Sequence, residues 1–280
     1  MVELRPSLTE FEALSAKSDI VPVCCRILSD QLTPVSAFAR LAENQDHAFL
    51  FESVVGGEKI ARYSFLATQP AAQFQATRNK VTYTSPEGTE TCTIDDPLAK
   101  LHEVISGFSV AHLPELPRFV GGAVGYAGYD VIRYYENLPN PPKDDRGLPD
   151  VHFCIYDTLV IFDHVQKLIK IVAHAYPKRD GVEQAYQDAE DRIAKVLVTL
   201  GDQRDSTLTA MVEPSEPLHY ESTFEKEEFE AAVDRCKEYI RAGDIFQTVI
   251  SQRLSVETTA TPFDIYRALR AVNPSPFMFY

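Results

Sequence analysis

The stretch that decides the fold runs from Ala48 to Ile94 and reads AFLFESVVGGEKIARYSFLATQPAAQFQATRNKVTYTSPEGTETCTI. It breaks into short apolar-rich runs at residues 49–55, 63–67, 71–76, 81–83 and 91–94. Successive strand side chains point to opposite faces, so each run presents an apolar face. Gly56-Gly57, Arg78-Asn79 and Pro86-Glu87-Gly88 separate the runs, and such residues supply the backbone angles that tight turns require. The pattern predicts short antiparallel strands joined by turns.

Toward the N-terminus, Ser7-Leu8-Thr9-Glu10 forms a capping box before apolar spacing at Phe11, Leu14 and Ala16, which predicts a helix. Residues 20–28 read as a strand, and Thr33-Pro34 opens a second helix through Phe38 to Leu41. Toward the C-terminus, Asp96-Pro97 opens a third helix. Residues 119–129, FVGGAVGYAGY, read as a glycine-rich strand that lets another backbone approach closely. This run lacks the G-x-G-x-x-G spacing and the Lys-Ser/Thr of nucleotide loops. Residues 137–149 form a proline-rich loop, and residues 151–162 and 168–175 a hairpin about Asp163-His164. Residues 181–200 have helical amphipathic spacing, and residues 201–221 form a polar linker.

After the linker, Thr223 is expected to cap a helix burying Phe229, Ala232, Val233, Cys236 and Ile240, with Gly243 as its stop. Residues 244–254 read as a strand, Thr261-Pro262 opens another helix, and a terminal strand begins at Phe277. The chain reads as α+β, with large antiparallel sheets and flanking helices. Two regions are expected: a β-rich region, 1–221, and a β-α-β region, 222–280. The end, Asn273 to Tyr280 (NPSPFMFY), launches an apolar strand with nothing after it to pair with. That pattern is expected of the front part of a longer protein.

The net charge of −14 disfavours non-specific binding to nucleic acid or to an anionic membrane, but leaves small anions open to a local Arg or Lys. No apolar run approaches the roughly 20 residues of a bilayer span, and the first residues do not resemble a signal or transit peptide. A cytoplasmic location is expected. The cysteines Cys24, Cys25, Cys92, Cys154 and Cys236 form no C-x-x-C pair and read as reduced thiols. His152, His164 and His174 are expected to face solvent or take hydrogen bonds, with no metal-ligand spacing among them. Arg62, Gln247 and Arg253 sit within apolar runs and read as buried, paired polar groups.

Several ordered stretches resemble the anthranilate synthase component I family. They are Leu32-Thr33-Pro34-Val35, Phe51-Glu52-Ser53, GGEKIARYSF from Gly56, GGAVGYAGYD from Gly121, Gly243-Asp244-Ile245-Phe246-Gln247, Ser251-Gln252-Arg253 and NPSPFMFY. The resemblance implies that fold and, in the whole protein, conversion of chorismate and ammonia to anthranilate and pyruvate in tryptophan biosynthesis. It implies Mg2+ as cofactor and a glutamine amidotransferase subunit as the ammonia-supplying partner. Related alternatives are an aminodeoxychorismate synthase-type enzyme and a non-catalytic amino-acid-binding module. The family's metal-binding glutamates and catalytic histidine find no matched position, so no catalytic or metal residue is assigned, and these 280 residues alone are expected to be inactive. On the same reading, residues 1–221 are a regulatory and scaffold region, and residues 222–280 begin a catalytic region.

The resemblance also implies a feedback site for tryptophan made by two distant segments. Glu52, Ser53 and Lys59 belong to the first, and Pro276, Phe277 and Met278 to the second. The chemistry suits a free amino acid: a carboxylate for the ammonium, a hydroxyl, a cation for the carboxylate, and flat or polarisable surface for the indole. The family often has Tyr where Phe277 stands, so the ring is kept and a hydroxyl is lost. Strand alternation sets Glu52 and Ser53 on opposite faces. Both meet one ligand only if the strand bends or one of them uses its backbone; otherwise Glu52 orders the pocket.

Overall fold

The computed structural model describes residues 2–54, 62–202 and 218–280. Its strands, in chain order, are β1 (Leu4–Arg5), β2 (Val21–Leu28), β3 (Ala48–Ser53), β4 (Tyr63–Thr68), β5 (Ala72–Thr77), β6 (Lys80–Ser85), β7 (Gly88–Thr93), β8 (Gly122–Ala127), β9 (Val151–Tyr156), β10 (Thr158–Asp163), β11 (Leu168–Ala175), β12 (Glu221–Ser222), β13 (Leu254–Ser255) and β14 (Phe277–Phe279). The helices are α1 (Leu8–Ser15), α2 (Pro34–Leu41), α3 (Pro97–Ser106), α4 (Pro177–Asp180), α5 (Val182–Gly201), α6 (Lys226–Ala242) and α7 (Pro262–Val272), with a 3-10 turn at Tyr129–Tyr134. Two compact units result, one of Met1–Ser206 with Leu269–Tyr280 and the other of Thr207–Ala268.

The first unit holds two antiparallel sheets. One has the order β1-β2-β11-β10-β4-β3-β14 and the other β7-β6-β5-β9-β8. The α+β reading with large antiparallel sheets therefore stands. Between the sheets lies a core to which β2, β3, β4, β10 and β11 contribute Cys24, Phe49, Ala67, Ile161 and Val172, and β9 contributes Cys154 and Tyr156. On its other face the first sheet is covered by α5, whose Ala185, Ala189 and Ile193 are buried at helical spacing. The second sheet packs Phe74, Ala76, Val81 and Val151 against Leu101 of α3.

Local chemistry explains the helix starts. Ser7 Oγ accepts from Glu10 N–H while the Glu10 carboxylate accepts from Ser7 N–H, so the capping box at α1 is present. Thr33 does the same at α2 with Ser36 as its partner, and Asp96 accepts from Ala99 N–H at α3. Gly125 explains part of the glycine-rich run: a Cβ there would lie 1.9 Å from the His152 carbonyl oxygen of the neighbouring strand.

Several expectations change. Residues 151–162 are not one strand. The chain turns at Asp157 between β9, in the second sheet, and β10, in the first. Such corners let a chain switch sheets, and here the Asp157 carboxylate takes an ion pair from Arg192 at 2.8 Å while its carbonyl accepts from His174 N–H. The predicted strand 244–254 shrinks to β13, which pairs only with β12; an apolar, β-branched run makes a strand only where a neighbouring edge accepts the backbone groups. Gln247 and Arg253 accordingly lie exposed rather than buried.

The terminal strand does find a partner, because β14 pairs with β3. In the second unit, α6 ends at Gly243, which is left-handed at φ 84° as a stop glycine requires. Its cap is Glu225, not Thr223, whose hydroxyl instead accepts from Arg253 N–H. Phe229, Ala232, Val233 and Cys236 are half-buried, and Ile240 is exposed. Most of the predicted linker, residues 203–217, lies outside the described residues. Among the described residues no helix is long and apolar enough to cross a membrane.

Candidate functional site

The two segments singled out in the sequence meet at the β3–β14 ladder. Glu52 is opposite Met278, Ser53 opposite Phe277, and Phe51 opposite Phe279. Val54 N–H donates to the Pro276 carbonyl, and Leu50 and Tyr280 exchange both backbone hydrogen bonds. Residues more than two hundred positions apart thus become cross-strand neighbours, in the 4.5–5.5 Å Cβ range about typical of such pairs. Lys59 lies outside the described residues.

Strand alternation sorts the site residues. Glu52 and Met278 share one face and are 4% and 8% exposed. Ser53 and Phe277 share the other face with Phe51 and Phe279. Phe49 on that same face enters the core between the sheets, with its ring 4.8 Å from that of Phe51. Farther along, coverage ends: Phe51, Phe277 and Phe279 are 38%, 62% and 78% exposed. An aromatic surface, with Ser53 beside it, therefore opens at the edge of the inter-sheet core.

Ser53 is held in place. Its Oγ donates to the Tyr63 carbonyl at 2.7 Å, and its N–H donates to Ser64 Oγ at 3.1 Å. Ser64 Oγ in turn lies 2.7 Å from His164 Nε2. Burial lowers the His164 pKa, with Lys167 adding to the effect, which favours a neutral ring able to share that hydrogen bond.

Glu52 is clamped from across the chain. Arg270 on α7 donates from Nη2 to Oε1 at 2.7 Å, while its Nε stands 2.6 Å from Oε2 without hydrogen-bond alignment. A planar guanidinium facing both oxygens of a buried carboxylate is a strong and orienting contact. The spacing and turn signals did not mark Arg270. It stands three residues before Asn273, and its one sequence-level cue is a basic charge in the last turn of a helix.

Arg62, predicted buried and paired, is half-exposed and paired. Its Nε and Nη2 donate to Asp163 at 3.3 and 2.9 Å. Lys170, 2% exposed, donates to the Glu115 carbonyl at 2.7 Å and reaches Asp163 at 3.4 Å. Burial raises the Asp163 pKa, but Arg62, the Gln166 N–H and Lys170 outweigh it and hold the carboxyl below its ordinary value. This cluster sits in the β10–β11 hairpin and does not include the site residues.

Of the histidines, His174 does not face solvent, and its ring takes a hydrogen bond with the Val120 backbone. It is buried beneath Gly121, where a Cβ would lie 2.2 Å from the ring, and its Nε2 has no hydrogen-bond partner among the described residues. Burial pushes it down to about 4. All five cysteines are unpaired. His47, His152 and Cys154 bring two ring nitrogens and a sulfur within 4.8 Å of one another, a grouping that sequence spacing did not reveal.

Residues 46–280 match the family described as chorismate binding enzyme. The chain is 42% identical over 279 residues to anthranilate synthase component 1 of Acetivibrio thermocellus, covering 98% of this chain and 56% of that protein. It is 35% identical over 280 residues to the Aquifex aeolicus protein of the same name, covering 100% of this chain and 56% of that one. The crystal structure of anthranilate synthase component I from Streptococcus pneumoniae TIGR4 superposes with a TM-score of 0.63 at 33% identity, over 89% of this chain and 53% of that one. The chain spans about half the length of the curated relatives it matches.

Proposed function

This chain belongs to the chorismate binding enzyme family, and from that premise we propose that it carries the tryptophan-sensing and scaffold part of an anthranilate synthase component I. The whole protein would convert chorismate and ammonia to anthranilate and pyruvate in the cytoplasm, with ammonia supplied by a glutamine amidotransferase subunit. Residues 1–221 form the regulatory and scaffold region in this reading, and residues 222–280 begin the catalytic one. The relatives, named for this activity, support the reading.

The observation that supports the regulatory part is the β3–β14 register, which sets Ser53 beside Phe277 on the open face, next to Pro276, and Met278 beside Glu52 on the buried face beneath it. The indole lies against the exposed Phe277 ring, where aromatic pairing adds about 0.5–1.5 kcal/mol beyond area burial. Glu52 orders the site through Arg270 rather than lying open to the ligand. The ligand's ammonium and carboxylate are met by the Ser53 region and by Lys59. Tryptophan that favours one arrangement of this edge lowers use of chorismate, and chorismate in turn lowers affinity for tryptophan.

Magnesium would hold the substrate carboxylate and balance charge at the reacting ring. The three-donor group found among the described residues offers nitrogen and sulfur, whereas magnesium takes oxygen ligands. That group therefore does not fit magnesium.

Calorimetric titration of the 280-residue chain with tryptophan, then with phenylalanine, tests the site. Saturable binding that favours tryptophan is expected, and absence of binding to both this chain and the full-length protein would remove the feedback reading. Product analysis of the full-length protein with chorismate and ammonia tests the activity: fluorescent anthranilate is expected, and an aminodeoxychorismate product would replace the assignment. No anthranilate is expected from the 280 residues alone.

A further inference from the structure

A second place in the first unit has the chemistry of a cation site. His152 and Cys154 stand two residues apart on β9, so their side chains leave the same face of the second sheet. His47 lies just before β3, in the first sheet, with its ring centroid 5.6 Å from that of His152. The Cys154 sulfur is 3.9 Å from His152 Nε2. All three ligand atoms fall within 4.8 Å of one another, with Cys154 buried and both imidazoles half-buried.

We infer that His47, His152 and Cys154 form a binding site for a zinc-class divalent cation that ties the lead-in of β3 to β9. Metal–ligand distances of about 2.0–2.1 Å for nitrogen and 2.3 Å for sulfur place tetrahedral ligand atoms about 3.3–3.7 Å apart. The cluster reaches that geometry by closing its widest separation by roughly 1 Å, which rotation of the half-buried His47 supplies.

The donor set selects the metal. Two imidazoles and a thiolate suit zinc or cobalt and not the oxygen-seeking magnesium or calcium. Three protein ligands leave a fourth position for water. Gln75 borders the arrangement: its Nε2 lies 3.3 Å from His152 Nε2. A ring nitrogen has one lone pair, so a cation taken at this atom displaces the Gln75 hydrogen bond, and one taken at Nδ1 leaves it in place. The Cys154 thiol gives up its proton to the solvent on binding, so each cation bound releases one proton from this group.

The test uses the reduced, chelator-stripped chain titrated with Co2+ and then Zn2+. One equivalent of Co2+ should produce a thiolate-to-metal charge-transfer band and tetrahedral d–d absorption, and Zn2+ should abolish both because it binds such sites more tightly. Cys154→Ser should lose the charge-transfer band, Cys92→Ser should keep it, and His47→Ala should weaken Co2+ binding by about tenfold or more, in line with loss of a ligand. Zn2+ should raise the Tm of the unsubstituted chain and leave that of His47→Ala unchanged. No charge-transfer band in the unsubstituted chain, or a band that survives in Cys154→Ser, would overturn the assignment. Should Cys154→Ser fail to fold, unchanged Co2+ affinity in the half-buried His47→Ala would overturn it equally.

Discussion

Two carboxylates are buried in the same sheet, and they are held in different ways. Asp163, at the end of β10, is surrounded by donors from its own turn and adjoining strands: the N–H groups of Val165 and Gln166, then Arg62 and Lys170. Glu52, on β3, faces an arginine 218 residues away on α7. The first arrangement is a staple for a hairpin. The second couples β3, the strand next to the sheet edge, to a distant helix, beside an exposed aromatic surface. Donor number and chain separation, more than burial, distinguish the two carboxylates.

The largest effect expected from breaking this contrast is at Asp163. Asp163→Ala leaves Lys170 buried with its charge uncompensated, at a cost of about 3–5 kcal/mol in chemical denaturation. A loss under 1 kcal/mol, roughly that of an exposed pair, would remove the staple from the account.

His174, on β11 of that sheet, sharpens the comparison because its ring lacks an ionic clamp. Its folded pKa of about 4 lies below an unfolded value near 6.5, so the unfolded chain binds the proton first as pH falls. Its contribution is full above about pH 6.5 and is lost down to about pH 4, amounting to roughly 3 kcal/mol at about 1.4 kcal/mol per unit. Asp163, lowered in the folded chain, acts below that window: its contribution is present above about pH 3.9 and lost below it. His174→Phe should flatten the stability profile between pH 6.5 and 4 and leave the more acidic limb. An unchanged profile would contradict the burial argument.

At the other carboxylate, Arg270→Met should cost about 1–3 kcal/mol by leaving Glu52 with a lost hydrogen bond. In the proposed reading it should also weaken tryptophan binding about tenfold or more, a factor equal to about 1.4 kcal/mol. A stability loss with unchanged affinity would make Glu52 a second staple. The smallest effect is expected at Phe277→Leu, which removes the exposed ring: tryptophan affinity should fall by about 0.5–1.5 kcal/mol with little change in stability.

Much of this fold is legible because its causes are local. The capping residues Ser7, Thr33 and Asp96, the alternating runs from residue 48 onward and the stop at Gly243 each act within a few positions. The corner at Asp157 was hidden because apolar residues run through it, and its partners Arg192 and His174 come from later elements. The run 244–254 is rich in apolar and β-branched residues yet pairs only at Leu254, its last residue. For the site, the resemblance supplied both segments, and alternation anticipated that Glu52 and Ser53 part company. Arg270 and the His47–His152–Cys154 group depend on contacts between distant elements, which spacing does not encode.

The central claim is that the edge joining β3 to β14 takes tryptophan. The chain contains no tryptophan of its own, so the ligand's indole fluorescence can be read without background from the same fluorophore. Excited at the red edge, beyond tyrosine absorption, free tryptophan should show a saturable rise in anisotropy as the 280-residue chain is added. Excess unlabelled phenylalanine should displace it poorly, and Phe277→Leu should shift the curve to higher protein concentration. Anisotropy that stays at the free-ligand value throughout the titration, with the chain folded, would contradict the account.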